Sequence, residues 1–179
     1  MIHPTNSRSL RFLGAAILCA VAIPATLERL SAQSDAPASQ APAEPWSAAQ
    51  TVQPADLMKE LGESKTANRP VVVCVGFRPL YMGAHVPGAV YHGAAQSEQG
   101  LADLKKWAQG VPRSANIVVY CGCCPLEHCP NLRPAFAELR DMGFAHLRAL
   151  LLPHDFATDW VEKGYPVEKG AEKLSNANR

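Results

Sequence analysis

Ile117-Val118-Val119-Tyr120 is a run of β-forming residues that stops on a cysteine, Cys121, and this junction constrains the chain more than any other feature. The loop beyond it, Gly122-Cys123-Cys124-Pro125-Leu126-Glu127-His128-Cys129-Pro130, holds three further cysteines and a histidine. Asn131 then opens an amphipathic segment, Leu132 to Met142, closed by Gly143. The pattern reads as strand, cysteine loop, helix. A thiol in such a loop lies near unpaired backbone N–H groups and the positive end of a helix dipole, and both favour thiolate. The loop is therefore the candidate active site.

The remaining elements follow in order. Pro54 to Leu61 has proline at a helix start and apolar residues at helical spacing, with Gly62 as a stop signal. Val71-Val72-Val73-Cys74-Val75 is a continuous β-branched run, expected to be a strand buried on both faces. A loop with Arg78 and Tyr81 leads to His85-Val86-Pro87-Gly88-Ala89-Val90. Leu101 to Ala108 carries Leu101, Leu104 and Trp107 on one helical face and ends at Gly110. Ala145 to Leu152 reads as another strand, and Asp159 to Val167 completes the folded part. Strands that alternate with helices predict an α/β fold: an open, mostly parallel sheet with helices on both faces. Ligands of such folds bind at the carboxyl ends of strands, where the loops after Cys121 and Cys74 lie.

The lead-in is of another kind. Arg8 and Arg11 precede an uncharged apolar run from Phe12 to Ala25, shorter than the ~20 residues of a spanning helix. Residues 1–32 are expected to be an export signal, the alternative being an uncleaved membrane anchor. Either places the folded part in an oxidising compartment, periplasmic or secreted. Residues 33–49 are rich in Ala, Pro, Ser and Gln and are read as a flexible tether, with Trp46 a candidate start of ordered structure. One domain is expected over 50–170, with a frayed polar tail over 171–179. A net charge of +1 gives no electrostatic case for nucleic acid, and a membrane partner is expected only if the N-terminal segment is uncleaved.

Taken together, the pieces from about Pro54 to Gly170 resemble the rhodanese-like (sulfurtransferase) domain. The matching residues are His85-Val86-Pro87-Gly88-Ala89, Val118-Val119-Tyr120-Cys121, then Ala135, Leu139 and Gly143-Phe144, and finally Trp160, Gly164 and Pro166-Val167. The resemblance implies a single domain with a five-stranded sheet. It implies that Cys121 takes sulfane sulfur from a donor such as thiosulfate or a persulfide, becomes a persulfide, and passes the sulfur to an acceptor thiol, which a protein could supply. The chain departs from that pattern in three places. The usual short loop has one cysteine and ends in arginine or serine, whereas this one is longer, contains Cys123, Cys124 and Cys129, and has Asn131 near the arginine position. Cys74 stands where an acid commonly closes the first buried strand, and Pro153-His154-Asp155 replaces a glycine pair.

Cys121 is thus the expected nucleophile, against a structural disulfide as the bland alternative. Cys124 forms a Cys-x-x-Cys pair with it, which could cycle between dithiol and disulfide or attack a persulfide; a static Cys124–Cys129 bridge is the competing reading. Cys123, Cys129 and, if the family topology holds, Cys74 are further candidate resolving or modifying thiols. Gly122, His128, Asn131, Arg78 and Arg133 are candidate supporting residues: a protonated His128 would favour thiolate, and the arginines could meet an anionic donor. His85, Tyr81 and Trp160 are assigned to structure. No cofactor is expected. The alternative soft-ligand set is Cys121, Cys124, His128 and Cys129, suited to zinc or copper(I). The expected function is exported sulfur transfer through Cys121. The alternatives are a thiol–disulfide oxidoreductase using Cys121 and Cys124, and a non-catalytic module that binds a metal or a partner.

Overall fold

The computed structural model describes residues 44–63 and 69–170. The candidate export signal, most of the tether and the tail after 170 lie outside the described residues.

Five parallel strands form an open sheet in the order β1-β5-β4-β2-β3. The strands are β1 (Thr51–Val52), β2 (Val71–Cys74), β3 (Val90–Tyr91), β4 (Asn116–Tyr120) and β5 (His146–Leu150). The helices are α1 (Pro54–Glu63), α2 (Arg78–Gly83), α3 (Glu98–Gln109) and α4 (Leu132–Asp141). A single wide turn at Ala157–Val161 follows β5.

The two apolar runs of the sequence sit side by side at the centre, β2 on β4, with Val71 opposite Ile117 and Cys74 opposite Tyr120. Period-two alternation then divides the core. Val73, Val75, Ile117, Val119 and Cys121 face one side, packed with Leu104 and Trp107 of α3 and Leu132, Phe136 and Leu139 of α4. Val72, Cys74, Val118 and Tyr120 face the other, with Leu57 of α1, Tyr81 of α2, and Phe156 and Trp160 near the C-terminus. Burial on both faces is why these strands carry apolar residues throughout rather than at alternate positions.

Several element boundaries differ from the sequence pattern. α1 runs through Gly62 to Glu63, because a glycine there has open space around it and costs an exposed last turn only about 1 kcal/mol. The stretch after β2 is not all loop, since Phe77 leads into α2 with Pro79 in its first turn. α3 begins at Glu98, three residues ahead of its apolar stripe, because the Ser97 hydroxyl accepts the Gly100 N–H. β1 and β3 have two residues each, too short for any periodicity to show. His85 pairs with Glu168 through the backbone, donates from Nδ1 to the Tyr81 carbonyl, and stacks on the Tyr81 ring. Trp160 donates its indole N–H to the Pro166 carbonyl. Of residues 33–49, those from 44 onward are described: Trp46 packs edge-on against Phe136, and the Pro45 carbonyl accepts from Arg140 on the same helix.

Candidate active site

The carboxyl ends of β4 and β2 lie level, and the site is built on both. Gly76 follows β2 so closely on the next strand end that a Cβ there would meet the Cys121 carbonyl oxygen at 2.6 Å. After β4 the chain turns at Gly122 with φ +73°, and a Cβ at Gly122 would meet Phe156 Cβ at 2.7 Å. Only glycine accepts both the left-handed backbone and the contact. The Gly122 carbonyl accepts the Phe156 N–H, which ties the loop to the C-terminal segment.

Beyond that turn the loop folds back on itself, and four thiols form a connected group. Cys121 Sγ lies 2.9 Å from Cys123 Sγ, and Cys123 Sγ lies 3.3 Å from Cys124 Sγ. The sulfurs of Cys121, Cys123 and Cys129 all lie within 4.8 Å of one another. All five described cysteines are free thiols. Cys121 and Cys129 are buried, 6% and 2% exposed, whereas Cys123 and Cys124 are half-buried. Cys121 thus meets Cys123, which stands between the two members of the Cys-x-x-Cys pair.

Asn131 is fully buried at the start of α4 and does not cap its own helix. Its Oδ1 accepts the Gln96 N–H, which leaves Nδ2 to donate to Cys121 Sγ at 3.5 Å and Cys123 Sγ at 3.7 Å. A fixed donor aimed at sulfur favours the anion. The positive end of α4 goes to a different thiol. Cys129 is pulled down to about 6 by the hydrogen bond from Cys121 and by the N–H groups of Leu132 and Asn131, which together outweigh its burial. Cys121 is pushed well above the ordinary thiol range, first because its S–H is the donor to Cys129 and then by burial. Burial and the contact with Cys123 push Cys124 up to about 12. The N–H groups that open α4 thus favour the negative charge of this coupled pair on Cys129, with the Cys121 S–H as donor to it.

The other expected residues fall in different places. Cys74 belongs to the opposite face of the sheet; its S–H points at the Cys121 carbonyl, 3.9 Å away, and burial pushes it up to about 12. His128 is exposed at the end of a 3-10 turn, Leu126–His128, apart from the three clustered sulfurs. Arg78 opens α2 on the surface. Arg133 holds the loop from behind: its guanidinium donates to the carbonyls of Cys129 (3.1 Å) and Glu127 (2.9 Å) and pairs with Glu44. For a metal, the structure brings together Cys121, Cys123 and Cys129, a soft three-sulfur set, rather than a set with Cys124 and His128.

A cavity of about 350 Å³ opens over this strand end, with Tyr120, Cys121, Gly122 and Cys123 along one side. Cys74 also reaches it, and its other walls come from α2 and from residues 155–161. No sequence pattern marks these walls, because the two segments are far apart in the chain.

Some 70–73% of the chain superposes on solved structures. The rhodanese-like domain of an Anabaena protein matches with a TM-score of 0.50 and 23% identity, over 73% of this chain and 86% of that one. This is the rhodanese fold. A Bacillus halodurans protein matches it with a TM-score of 0.52 and 18% identity, over 72% of this chain and 83% of that one. A 3-mercaptopyruvate sulfotransferase from Escherichia coli matches with a TM-score of 0.51 and 18% identity, over 70% of this chain and 53% of that one. No protein-family model and no curated protein matches the sequence. On this rhodanese fold, Cys121 is the residue that directly follows the central strand β4, at the carboxyl edge of the sheet.

Proposed function

We propose that this chain transfers sulfane sulfur through a persulfide on Cys121. The observation that carries the reading is the position of Cys121: it ends the central strand, borders the cavity, receives the Asn131 amide, and touches a second thiol at 2.9 Å. The Cys121 proton passes to the Cys129 thiolate as the Cys121 sulfur attacks the donor's sulfane sulfur. The bond from that sulfur to the rest of the donor breaks, and the donor leaves with the electron pair. Asn131 Nδ2 donates to the anion that results. An acceptor thiolate then attacks the outer sulfur, and Cys121 leaves as thiolate. Cys123 is the thiol of this chain best placed to be that first acceptor, with Cys124 next along the contact path toward the surface. The chemistry uses no cofactor.

We also propose export to the periplasm or outside, on the strength of Arg8, Arg11 and the apolar run Phe12 to Ala25. N-terminal sequencing of protein from the secreted or periplasmic fraction tests it.

Intact mass measured before and after a sulfane donor, without reductant, tests the transferase reading. A gain of one sulfur is expected, mapped to Cys121, removed by added thiol, and absent from Cys121→Ser. Sulfur gained equally by Cys121→Ser would overturn it. The contact between Cys121 and Cys123 also favours a second reading, a thiol–disulfide oxidoreductase that uses this pair. A reversible two-electron titration, with no sulfur gained from any donor, would place that reading first.

A further inference from the structure

The cavity over Cys121 is built for an apolar guest. Leu80, Tyr81, Tyr120, Phe156 and Val161 dominate its walls, and none of its described lining residues is Lys, Arg or His. The charged residue among them is Asp155, a carboxylate whose Oδ1 accepts the Thr158 N–H. A second observation points the same way. Among the described residues the large apolar side chains left exposed are Phe77, Leu80, Met82 and Val161. Leu80 and Val161 line the cavity, and Phe77 and Met82 are their neighbours in and beside α2. Scattered exposed apolar residues are ordinary, but two of these four line one cavity.

We propose that the sulfur-bearing substrate of this site is an organic persulfide or thiol with an uncharged apolar body, and that small dianions such as thiosulfate are poor donors. The proposal rests on the sulfur-transfer reading and names its substrate class. Three physical arguments support it. A dianion entering this cavity would lose water without gaining a cationic partner, and it would meet Asp155. About 350 Å³ is room for a small organic molecule, far more than thiosulfate fills. Each methylene laid on these walls contributes about fourfold in transition-state binding, the equivalent of ~0.8 kcal/mol. The step balances as Cys121–S⁻ with R–S–SH giving Cys121–S–SH and R–S⁻, so the donor's R–S–S bond breaks and R–S⁻ leaves.

The test is the rate of Cys121 persulfidation, as kcat/KM, for ethyl, butyl and hexyl persulfides and for thiosulfate. The rate should climb about fourfold per methylene until the cavity fills. Thiosulfate should fall at least ~100-fold below hexyl persulfide. Leu80→Arg, which puts a guanidinium at the exposed mouth, should raise the thiosulfate rate and flatten the chain-length series. Rates that ignore chain length, or thiosulfate as the best donor of the unaltered protein, would overturn the inference. Hexyl methyl sulfide, which carries no sulfane sulfur, separates the two readings. If no donor loads Cys121 but this sulfide saturably shifts the Leu80 and Val161 methyl resonances, the transferase reading falls and the apolar-ligand inference stands. If neither happens, both fall.

Discussion

Cys74 and Cys121 end, or directly follow, neighbouring parallel strands, yet their surroundings have little in common. After β2 the chain closes tightly: Gly76 lies against the Cys121 carbonyl, α2 covers the end, and Cys74 is left 2% exposed. After β4 the chain turns out at Gly122, and the long loop returns three thiols and the start of α4 to the same point. The two cysteines sit one register step apart on opposite faces of the sheet. The comparison teaches that strand position alone does not make a thiol reactive. Both thiols line the cavity; what differs is that the loop after β4 brings the Asn131 amide and further thiols to Cys121, whereas the chain after β2 brings Cys74 mainly apolar cover.

The sharpest way to break this comparison is to remove each thiol in turn. Cys121→Ser should lower sulfur transfer by at least ~10³-fold, as loss of a nucleophile does. Cys74→Ala should leave the rate within about threefold and cost ~1 kcal/mol in denaturant unfolding. If Cys74→Ala were as inactive as Cys121→Ser, Cys74 would be a working thiol and the contrast would collapse.

The next effect in size is the pH profile. Cys129 is depressed to about 6, so the anion that accepts the Cys121 proton is present above that pH and is lost below it. The persulfidation rate should therefore be level above about pH 7 and fall about tenfold per unit below pH 6. Asn131→Asp keeps the acceptor for the Gln96 N–H but replaces the donor near Cys121 and Cys123 with an acceptor. Its midpoint should move up by one unit or more, read from the same profile. A profile with its only rise near the ordinary thiol pKa would mean that Cys129 is not the base.

Gly122→Ala sharpens the structural side. The left-handed backbone alone should cost about 1–2 kcal/mol, and the contact with Phe156 adds to it, so the thermal midpoint should drop by several degrees. The smallest effect is expected from Arg133→Ala, about 1 kcal/mol, because the guanidinium is only partly buried. That variant should also speed alkylation of Cys123 and Cys124, which the clamp on the Glu127 and Cys129 carbonyls holds in place. Unchanged alkylation rates would mean the loop keeps its shape without the clamp.

Much of the fold was legible because its signals are local. The β-branched runs at Val71 and Ile117, the amphipathic stretches and their glycine or proline ends each sit in a few consecutive residues, and together they give a parallel α/β sheet with Cys121 at a strand end. The two-residue strands and α2 were not legible, since neither has enough length for a period to declare itself. Within the site, the sequence placed the nucleophile candidate and named Gly122 and Asn131 as supporting residues. It did not show which thiols meet, because a loop rich in prolines and cysteines has no period that dictates how it folds back.

The sequence by itself thus determined the alternation of the longer strands and helices and the position of Cys121 at the end of β4, since those follow from hydrophobic period and turn chemistry. Only the tertiary structure decided that Cys123 rather than Cys124 touches Cys121, that the N–H groups opening α4 go to Cys129, and that Arg133 braces the loop. It alone decided that α2 and the segment around Val161 wall an apolar cavity beside the thiol. The reason is physical: these contacts join residues far apart along the chain, or across a loop without regular structure, and only the packing of the whole domain sets them.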